Sequence, residues 1–493
     1  MTFLLRFDNP QNASLASNLN DLLSGSNCKH PATCKSFWPI NFRMFKKVSL
    51  LTWLLISCYF VKYTSDLSPW KLKKIIDQDV IFYYGYLPAT FIYHDWTFRF
   101  PDKPGFTGIV WSIPTPEGGR YQKMTMGVAM LYAPFFGIAH LYTTITNGLA
   151  DGYSMNYQIA LIWAGVFYFI LGLFFLRKIL EQFIPDMAVS LVLITISLGT
   201  NLLNYATMDG ALSHVYSFSL FAIALWVFLK WIKSPKALLT ILLGLTLGLI
   251  VLIRPTNITF ALFLLLFFYF KDKDIKKSWQ FILGLKWRLL LLAGSALLIW
   301  LPQMLYWKMN TGHYIFYSYM GENFIFSRPQ IINGLFSYNK GWLVYTPMMW
   351  LAILGFFLMR DRLKPWLWPS LVTMLISIYI IFSWWCWWYG GGFSARPLVE
   401  FYVIMSLPLG AFFAYIIQKK FFLKALTALV VLFFLWLNLF QTKQYNTSLL
   451  HYDSMSKEVY WAIWGKQNWP ENYARMLKAN DVEKTKKGES PFP

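Results

Sequence analysis

The sequence predicts an all-α protein that crosses a membrane about eleven times and carries a long first outer loop with interfacial helices. Hydrophobic residues make up 57% of the 493 positions and aromatic residues 20%, whereas charged residues make up only 14%. A soluble domain cannot bury so large an apolar fraction, so a lipid bilayer must be the solvent for most of the chain. We therefore predict a polytopic integral membrane protein.

The basic residues give the orientation of this protein in the membrane. A formal net charge of +21 would favour nucleic acid as a partner of a soluble protein. Here, however, Lys and Arg stand in short clusters between apolar runs, which is the pattern of loops retained on the cytoplasmic side. The expected partners of the chain surface are membrane lipids, and no nucleic acid is expected.

Apolar runs of about 20 residues and the positive-inside rule together predict the spans. The eleven predicted spans lie at approximately residues 48–63, 156–176, 188–206, 212–231, 237–253, 258–270, 289–307, 342–359, 366–385, 398–417 and 423–440. With these spans, five basic clusters, the first at Arg177 and Lys178, fall on the cytoplasmic side of the membrane. The N-terminus is then cytoplasmic and the C-terminus outside.

Three regions follow from this map. Residues 1–45 lack the continuous apolar core and cleavage site of a signal peptide, so we expect a disordered cytoplasmic extension, with a natural start possible at Met44. Residues 46–440 form the transmembrane domain, and residues 64–154 within it form the long outer loop. Residues 441–493 form a short outer tail.

One run in the long loop, MGVAMLYAPFFGIAHLY, is apolar enough to resemble a further span. If it crossed the membrane, every later basic cluster would be placed outside. We therefore predict a helix that lies in the outer interface, and its central Pro134 and the flanking Gly127 and Gly137 fit this less regular role.

Acidic residues stand near the start of the same loop. Asp77 and Asp79 occur in IIDQDVIFYYGYLP, and His94 and Asp95 follow in an aromatic stretch close to the predicted membrane surface. A partly desolvated carboxylate can accept the proton of an attacking hydroxyl, which is the role of a general base. The alternative is structural: Asp77 caps a helix whose first turn contains Asp79.

Four cations stand at the predicted outer ends of helices or just ahead of the interfacial helix. They are Lys123 in RYQKMTMG, Arg254 in LIRPTN, Lys340 in SYNKGWLVYTP and Arg396 in GGGFSARPLVE. Cations at this level could hold a phosphate at the headgroup plane. The alternative for each is an ordinary contact with lipid headgroups.

The segment SWWCWWYGGGFSARPLVE combines four tryptophans with three consecutive glycines, which favours a sugar- or lipid-facing surface closely approached by the backbone. Glu400 follows Arg396 by four residues, so on a helix the two would pair. His214, in a predicted outer turn, and Tyr345, in KGWLVYTP, are further candidates for contact with a substrate or with the residues that bind it.

This arrangement resembles the C superfamily (GT-C) of membrane glycosyltransferases, which take sugars from polyprenyl-phosphate donors and include protein O-mannosyltransferases and bacterial aminoarabinose transferases. The resemblance runs from about Met44 to Phe440. It rests on one helix, a long outer loop opening with IIDQDVIFYYGYLP, and YQKMTMGVAMLYAPFFG before the second span. The segments KGWLVYTP and WWYGGGFSARPLVEFY are similar to those of uncharacterised bacterial members.

The resemblance implies transfer of a sugar, with inversion, to a lipid, glycan or protein acceptor at the outer face of a bacterial inner membrane. The resemblance assigns the role of base to Asp79. Asp77 is the alternative, because this chain has Asp-Gln-Asp where several members of the superfamily have two adjacent acidic residues. The four cations named above become the phosphate ligands. No cofactor is implied, and no sequence motif indicates a divalent metal.

Two other classes remain possible from the sequence. A surface-polysaccharide polymerase or ligase also uses a lipid-linked donor, but is expected to carry its chemistry in one large late loop. A lipid-linked sugar transporter or flippase should have polar residues in the middle of its spans, whereas here the spans are nearly free of charge away from their ends.

Overall fold

A computed structural model of the chain describes residues 48–106, 108–115, 118–272, 275–319 and 321–489. The predicted extension over residues 1–45, including Met44, lies outside the described residues. The described chain is almost entirely helical. Its one small sheet joins strand β1 (Ile113–Pro114) to antiparallel strand β2 (Arg120–Tyr121) within the long first loop.

Long connections separate Phe91 from Gly127, Thr311 from Ile331 and Phe382 from Tyr402, whereas most other helices follow one another closely. In the first half the helices are α1 Val48–Leu67, α2 Pro69–Leu72, α3 Asp79–Tyr84, α4 Tyr86–Phe91, α5 Gly127–Ile145, α6 Met155–Leu180, α7 Asp186–Leu198, α8 Leu202–Ala206, α9 Ser213–Trp231 and α10 Ala237–Ile253. In the second half they are α11 Ile258–Asp272, α12 Ile275–Gly284, α13 Trp287–Thr311, α14 Ile331–Phe336, α15 Trp342–Tyr345, α16 Met348–Phe356, α17 Leu367–Phe382, α18 Tyr402–Ile416, α19 Phe421–Asn446, α20 Lys457–Ile463, α21 Tyr473–Met476 and α22 Val482–Lys486. Short 3-10 turns lie at Phe100–Asp102, Pro255–Asn257, Asp361–Trp366 and Arg396–Leu398.

The predicted class, an all-α polytopic membrane protein, is confirmed. Among the described residues, 7 helical segments are long and apolar enough to cross a membrane, and four shorter apolar helices accompany them. Each of the eleven predicted spans contains a helix, but the number of crossings stays a prediction. The run predicted to be interfacial is indeed a helix, α5, and its length and apolar composition also suit a span.

Two helices approach each other closely at glycine residues, which have no side chain. Helices α10 and α13 are neighbours, and Gly244 and Gly248 of α10 face α13. A Cβ atom on Gly244 would lie 2.4 Å from the carbonyl oxygen of Leu292, and one on Gly248 would lie 2.7 Å from that of Ala296. Small residues four positions apart let two helices in a membrane approach closely. This contact fixes the position of the end of α10, where Arg254 follows.

Helix α9 lies at the centre of the bundle. Nearly all of its residues are buried, and it is packed against α6, α10 and α18. Its first turn carries His214. The polar residues at this end of α9 are therefore enclosed by several other helix ends.

The chain after α19 is packed against the rest of the molecule up to residue 489. It contributes to a second hydrophobic cluster that includes Tyr345, Phe393, Leu449 and Val459. The side chain of Asn480 donates a hydrogen bond to the carbonyl of Asp453 at 2.8 Å. The described part of the predicted tail therefore packs against the segments that carry Tyr345 and Phe393.

Candidate active site

A cavity of about 290 Å³ opens at the predicted outer end of the bundle. Its lining comes from five separate segments: the first loop, the start of α9, the end of α10, the loop after α13 and the loop after α17. It includes five of the residues that the sequence singled out, namely Asp79, Lys123, His214, Arg254 and Arg396. Residues far apart in the sequence are thus brought into one hollow.

Asp79 and Arg396 form an ion pair across this cavity. Asp79 begins helix α3, whereas Arg396 begins the 3-10 turn ahead of α18, and Nη2 of Arg396 lies 2.8 Å from Oδ2 of Asp79. The Asp79 side chain is 31% exposed and that of Arg396 is 13% exposed. A carboxylate in this position is reachable from the cavity and is held by a charge-assisted hydrogen bond.

Asp77 lies outside the cavity lining. Helix α3 has Gln78 at its N-cap position, and no side-chain hydrogen bond caps it in the described chain. The predicted capping role of Asp77 is therefore wrong in detail, although Asp79 does stand in the first turn as expected. The main-chain carbonyl of Asp77 instead accepts a hydrogen bond from the amide of Val80 at 3.0 Å.

Arg254 occupies another part of the wall, beside His214 and Glu400. Nδ1 of His214 lies 3.1 Å from Oε2 of Glu400, and Nη1 of Arg254 lies 3.9 Å from Oε1. The predicted helical pairing of Glu400 with Arg396 is wrong. Arg396 stands in a 3-10 turn before α18 begins at Tyr402, so the two side chains do not share a helical face.

The third cation, Lys123, pairs with Glu322 from the loop after α13. Its ammonium also lies 5.2 Å from the ring centroid of Tyr319, and both partners line the cavity. Sequence reasoning missed Glu322 and Tyr319, because a lone acid and an aromatic residue in an irregular loop have no periodicity to mark them. Their only signal was their place in a predicted outer connection.

Aromatic side chains form much of the remaining wall. The glycine-rich segment contributes Trp384, Trp385, Tyr389 and Gly390, as its composition predicted. The guanidinium of Arg254 lies 5.6 Å from the ring centroid of Tyr389, a favourable cation–π distance. This wall offers apolar faces of the kind on which sugar rings and lipid chains pack.

Two buried donors of the wall lack a hydrogen-bond partner among the described residues. They are Nε of Arg396 and Nε1 of Trp385. Buried polar atoms are nearly always paired in native proteins, so such exceptions call for an explanation.

Lys340 does not line the cavity, contrary to its predicted place among the phosphate ligands. Its ammonium donates hydrogen bonds to the main-chain carbonyls of Gly392 and Tyr452. The residue is 2% exposed, and burial lowers the pKa of its ammonium from 10.5 to about 7. Lys340 therefore joins the glycine-rich segment to the C-terminal segment.

Three other candidates also lie away from the cavity. His94 is exposed and contacts the carbonyl of Thr90 through Nδ1 at 3.0 Å. Asp95 accepts hydrogen bonds from the amides of the turn that follows it. Tyr345 donates to the carbonyl of Tyr338 within the second hydrophobic cluster. These contacts give all three a role in local structure.

The part of the chain that the structure describes holds no group of three or more His, Cys, Asp or Glu side chains placed to bind a metal ion. The acidic and histidine side chains that line the cavity belong to different contacts: Asp79 pairs with Arg396, Glu322 with Lys123 and His214 with Glu400. The charged groups of the cavity are thus arranged as ion pairs.

No protein-family model and no curated protein sequence matches this chain. Its structure is similar to that of the archaeal oligosaccharyltransferase AglB from Archaeoglobus fulgidus in complex with an inhibitory peptide and a dolichol-phosphate. The TM-score is 0.52 at 14% sequence identity, and the match covers 87% of this chain and 59% of that chain. The oligosaccharyltransferase of the same organism in complex with Zn and sulfate gives a TM-score of 0.47 at 15% identity, covering 90% of this chain and 57% of that chain.

The likeness to AglB shows a shared fold. This chain is an all-α membrane protein whose fold is similar to that of AglB. It spans 59% of the length of the AglB chain.

Proposed function

We propose that this protein is a glycosyltransferase that moves a sugar from a polyprenyl-phosphate donor to an acceptor hydroxyl, with inversion at the anomeric carbon. One observation carries the proposal: an acid from the first loop and three cations from distant segments line a single cavity at one end of a GT-C-type helix bundle. The site would face the outer side of a bacterial inner membrane and serve the cell envelope, with a lipid, glycan or protein as acceptor.

The donor would be bound through its phosphate. Arg396, Arg254 and Lys123 all face the cavity, and arginine binds phosphate by paired hydrogen bonds. The AglB structure contains a dolichol-phosphate, so the shared fold supports a polyprenyl phosphate as the lipid.

Asp79 would act as the base only after the donor has bound. In the structure an oxygen of its carboxylate is engaged by the guanidinium of Arg396, so the carboxylate is not free to contact an acceptor hydroxyl through that oxygen. The donor phosphate would compete for the same guanidinium and release Asp79 towards the acceptor. Donor binding before acceptor binding follows from this exchange.

The transfer itself would be a single displacement. The acceptor oxygen forms a bond to the anomeric carbon while Asp79 takes its proton. The bond from that carbon to the phosphate oxygen breaks, and its electron pair leaves with the polyprenyl phosphate. Arg396 and Arg254 would stabilise the charge that grows on the departing phosphate.

The test is transfer of a radiolabelled sugar by purified protein in lipid vesicles, using a panel of polyprenyl-phosphate sugars. We expect transfer from at least one donor by the wild type and a loss of about 10²–10⁴-fold in Asp79→Asn. Asp66→Asn is the matched control, because Asp66 is an exposed acid paired with Lys62 on α1. Equal transfer by Asp79→Asn and wild type would remove the assignment of the base, and no transfer with any donor would remove the proposed activity.

The proposed orientation has its own test. In a variant without native cysteines, a cysteine at the exposed Lys103 of the first loop should react with a membrane-impermeant reagent applied from outside. A cysteine at the exposed Arg362, in a predicted cytoplasmic connection, should be protected. The reverse labelling pattern would mean that the cavity faces the cytoplasm.

A further inference from the structure

Glu400 is a buried acid that does not line the main cavity. It stands just before α18 and is 1% exposed. Burying a carboxylate costs several kcal/mol unless charged or hydrogen-bonded partners compensate. Its partners here are His214, with Nδ1 at 3.1 Å, and Arg254, with Nη1 at 3.9 Å. Both partners, unlike Glu400 itself, face the cavity.

His214 contacts both the acid and the arginine. It is 2% exposed, and its ring also contacts the ring of Tyr205, with centroids 5.2 Å apart. If Nδ1 donates its hydrogen to Glu400, Nε2 is left as an acceptor. Nη1 of Arg254 lies 3.3 Å from Nδ1 and 3.5 Å from Nε2, so the guanidinium lies beside the ring, close to both nitrogens. The acid thereby fixes the tautomer and the orientation of the ring, and the ring contacts the guanidinium.

Arg254 is held from one side only by these contacts. Its interactions with Glu400 and His214 are both made by Nη1, which carries two of the five N–H donors of a guanidinium. The other face of the group lies near the ring of Tyr389. Such an arrangement anchors the arginine and leaves further donors for an anion in the cavity.

The two arginines of the cavity therefore have carboxylate partners of different kinds. Asp79, the partner of Arg396, lines the cavity and can be displaced by a ligand. Glu400, the partner of Arg254, lies behind the wall and remains in place when a ligand binds. A permanent partner orients a cation, whereas an exchangeable one competes with the ligand.

We propose that Glu400 is a positioning residue that, directly and together with His214, holds the Arg254 guanidinium in place for an anionic phosphate ligand. The inference rests on the proposed function only in naming that ligand as the donor phosphate. Glu400 itself would not contact the substrate. Its effect should therefore depend on the presence of Arg254.

The first experiment is a double-mutant cycle on the affinity of the purified protein for polyprenyl phosphate. We expect Glu400→Gln to raise the Kd about tenfold. The separate variant Glu400→Asp, which keeps the negative charge, should have a Kd within about threefold of the wild-type value. Adding Glu400→Gln to Arg254→Ala should have little further effect. Independent effects that multiply in the double variant, or an unchanged Kd in Glu400→Gln, would overturn the inference.

The second experiment needs no ligand. Phenylglyoxal modifies arginine side chains, and peptide mass spectrometry gives the rate at each position. We expect modification of Arg254 to be several-fold faster in Glu400→Gln than in wild type, with that of Arg396 unchanged. His214→Gln should act in the same direction and serves if Glu400→Gln does not fold. Equal rates at Arg254 in folded variants and wild type would overturn the inference.

The two experiments separate the inference from the proposed function. If the wild type binds no polyprenyl phosphate, the proposed function fails, and the phenylglyoxal rates still decide whether Glu400 positions Arg254. If polyprenyl phosphate binds and the cycle shows no coupling, the proposed function stands and the positioning role is wrong.

Discussion

Arg396 and Lys340 both lie next to the glycine run at Gly392, and their sequence positions alone do not distinguish their roles. Arg396 faces the cavity and pairs with the carboxylate of Asp79. Lys340 lies outside the cavity lining and donates hydrogen bonds to the main-chain carbonyls of Gly392 and Tyr452. Both were expected to bind phosphate, because both are cations at predicted outer helix ends.

The comparison shows that the partner of a cation indicates its role better than its position in the sequence. A side-chain carboxylate in an open cavity can be exchanged for a phosphate, since both are anions that compete for the same donors. Main-chain carbonyls that belong to the fold cannot leave without unfolding part of it. Arg396 is therefore a candidate ligand and Lys340 a structural link.

Among the cations, the largest effect should come from Arg396. We expect Arg396→Gln to weaken polyprenyl-phosphate binding and to lower transfer by about 10²–10³-fold, because a donor to the phosphate is lost. Binding and transfer are measured on the same preparation. Arg328→Gln is the matched control, since Arg328 is an exposed arginine of a nearby loop. Values for Arg396→Gln within threefold of the control would contradict its role.

Lys340 should affect folding rather than binding. We expect Lys340→Met to lower the free energy of unfolding by about 1–3 kcal/mol, because the carbonyls of Gly392 and Tyr452 lose their donor. Thermal unfolding in detergent measures the loss, and the folded fraction should bind polyprenyl phosphate almost as wild type does. Unchanged stability with a large loss of affinity would place Lys340 back among the phosphate ligands.

The same residue predicts a pH dependence. The pKa of Lys340 is lowered by burial to about 7 from 10.5, so between these values the unfolded chain binds one more proton at this site than the folded chain. The contribution of Lys340 to stability therefore rises with pH across this window. Wild type should gain thermal stability relative to Lys340→Met as the pH increases above about 7. If the difference in thermal stability between wild type and Lys340→Met stays constant or shrinks as the pH rises, the pKa of Lys340 is not lowered by burial.

The smallest effect should come from Lys123 and Glu322, a pair at the cavity in which each side chain is 23% exposed. Partly exposed pairs contribute little, so we expect Lys123→Gln to weaken donor binding only about two- to fivefold. Glu322→Gln removes a competing anion and should leave binding equal or slightly tighter. A complete loss of binding in Lys123→Gln would make it, and not Arg396, the main phosphate ligand.

Much of the fold could be predicted because lipid-facing helices need long apolar runs, and every predicted span contains a helix. Irregularities were harder to predict. The span predicted at residues 342–359 is two helices, α15 and α16, separated at Pro347, where proline cannot donate to the preceding turn. The last span continues to Asn446 through polar residues that extend past the apolar run.

The site was predictable only in part. Asp79, Lys123, Arg254 and Arg396 were predicted to meet, and they line one cavity. Lys340 was predicted to join them and does not line it. Pairings could not be predicted, since they depend on contacts between distant segments. Lys340 lies 112 positions from Tyr452, and no local pattern connects them.

The most direct test of the exchange at Arg396 is the Kd of polyprenyl phosphate for wild type and Asp79→Asn. If the donor phosphate displaces Asp79 from Arg396, the neutral amide should compete less well, so Asp79→Asn should bind at least about threefold more tightly while losing transfer. An affinity that is unchanged or weaker in Asp79→Asn would contradict the exchange.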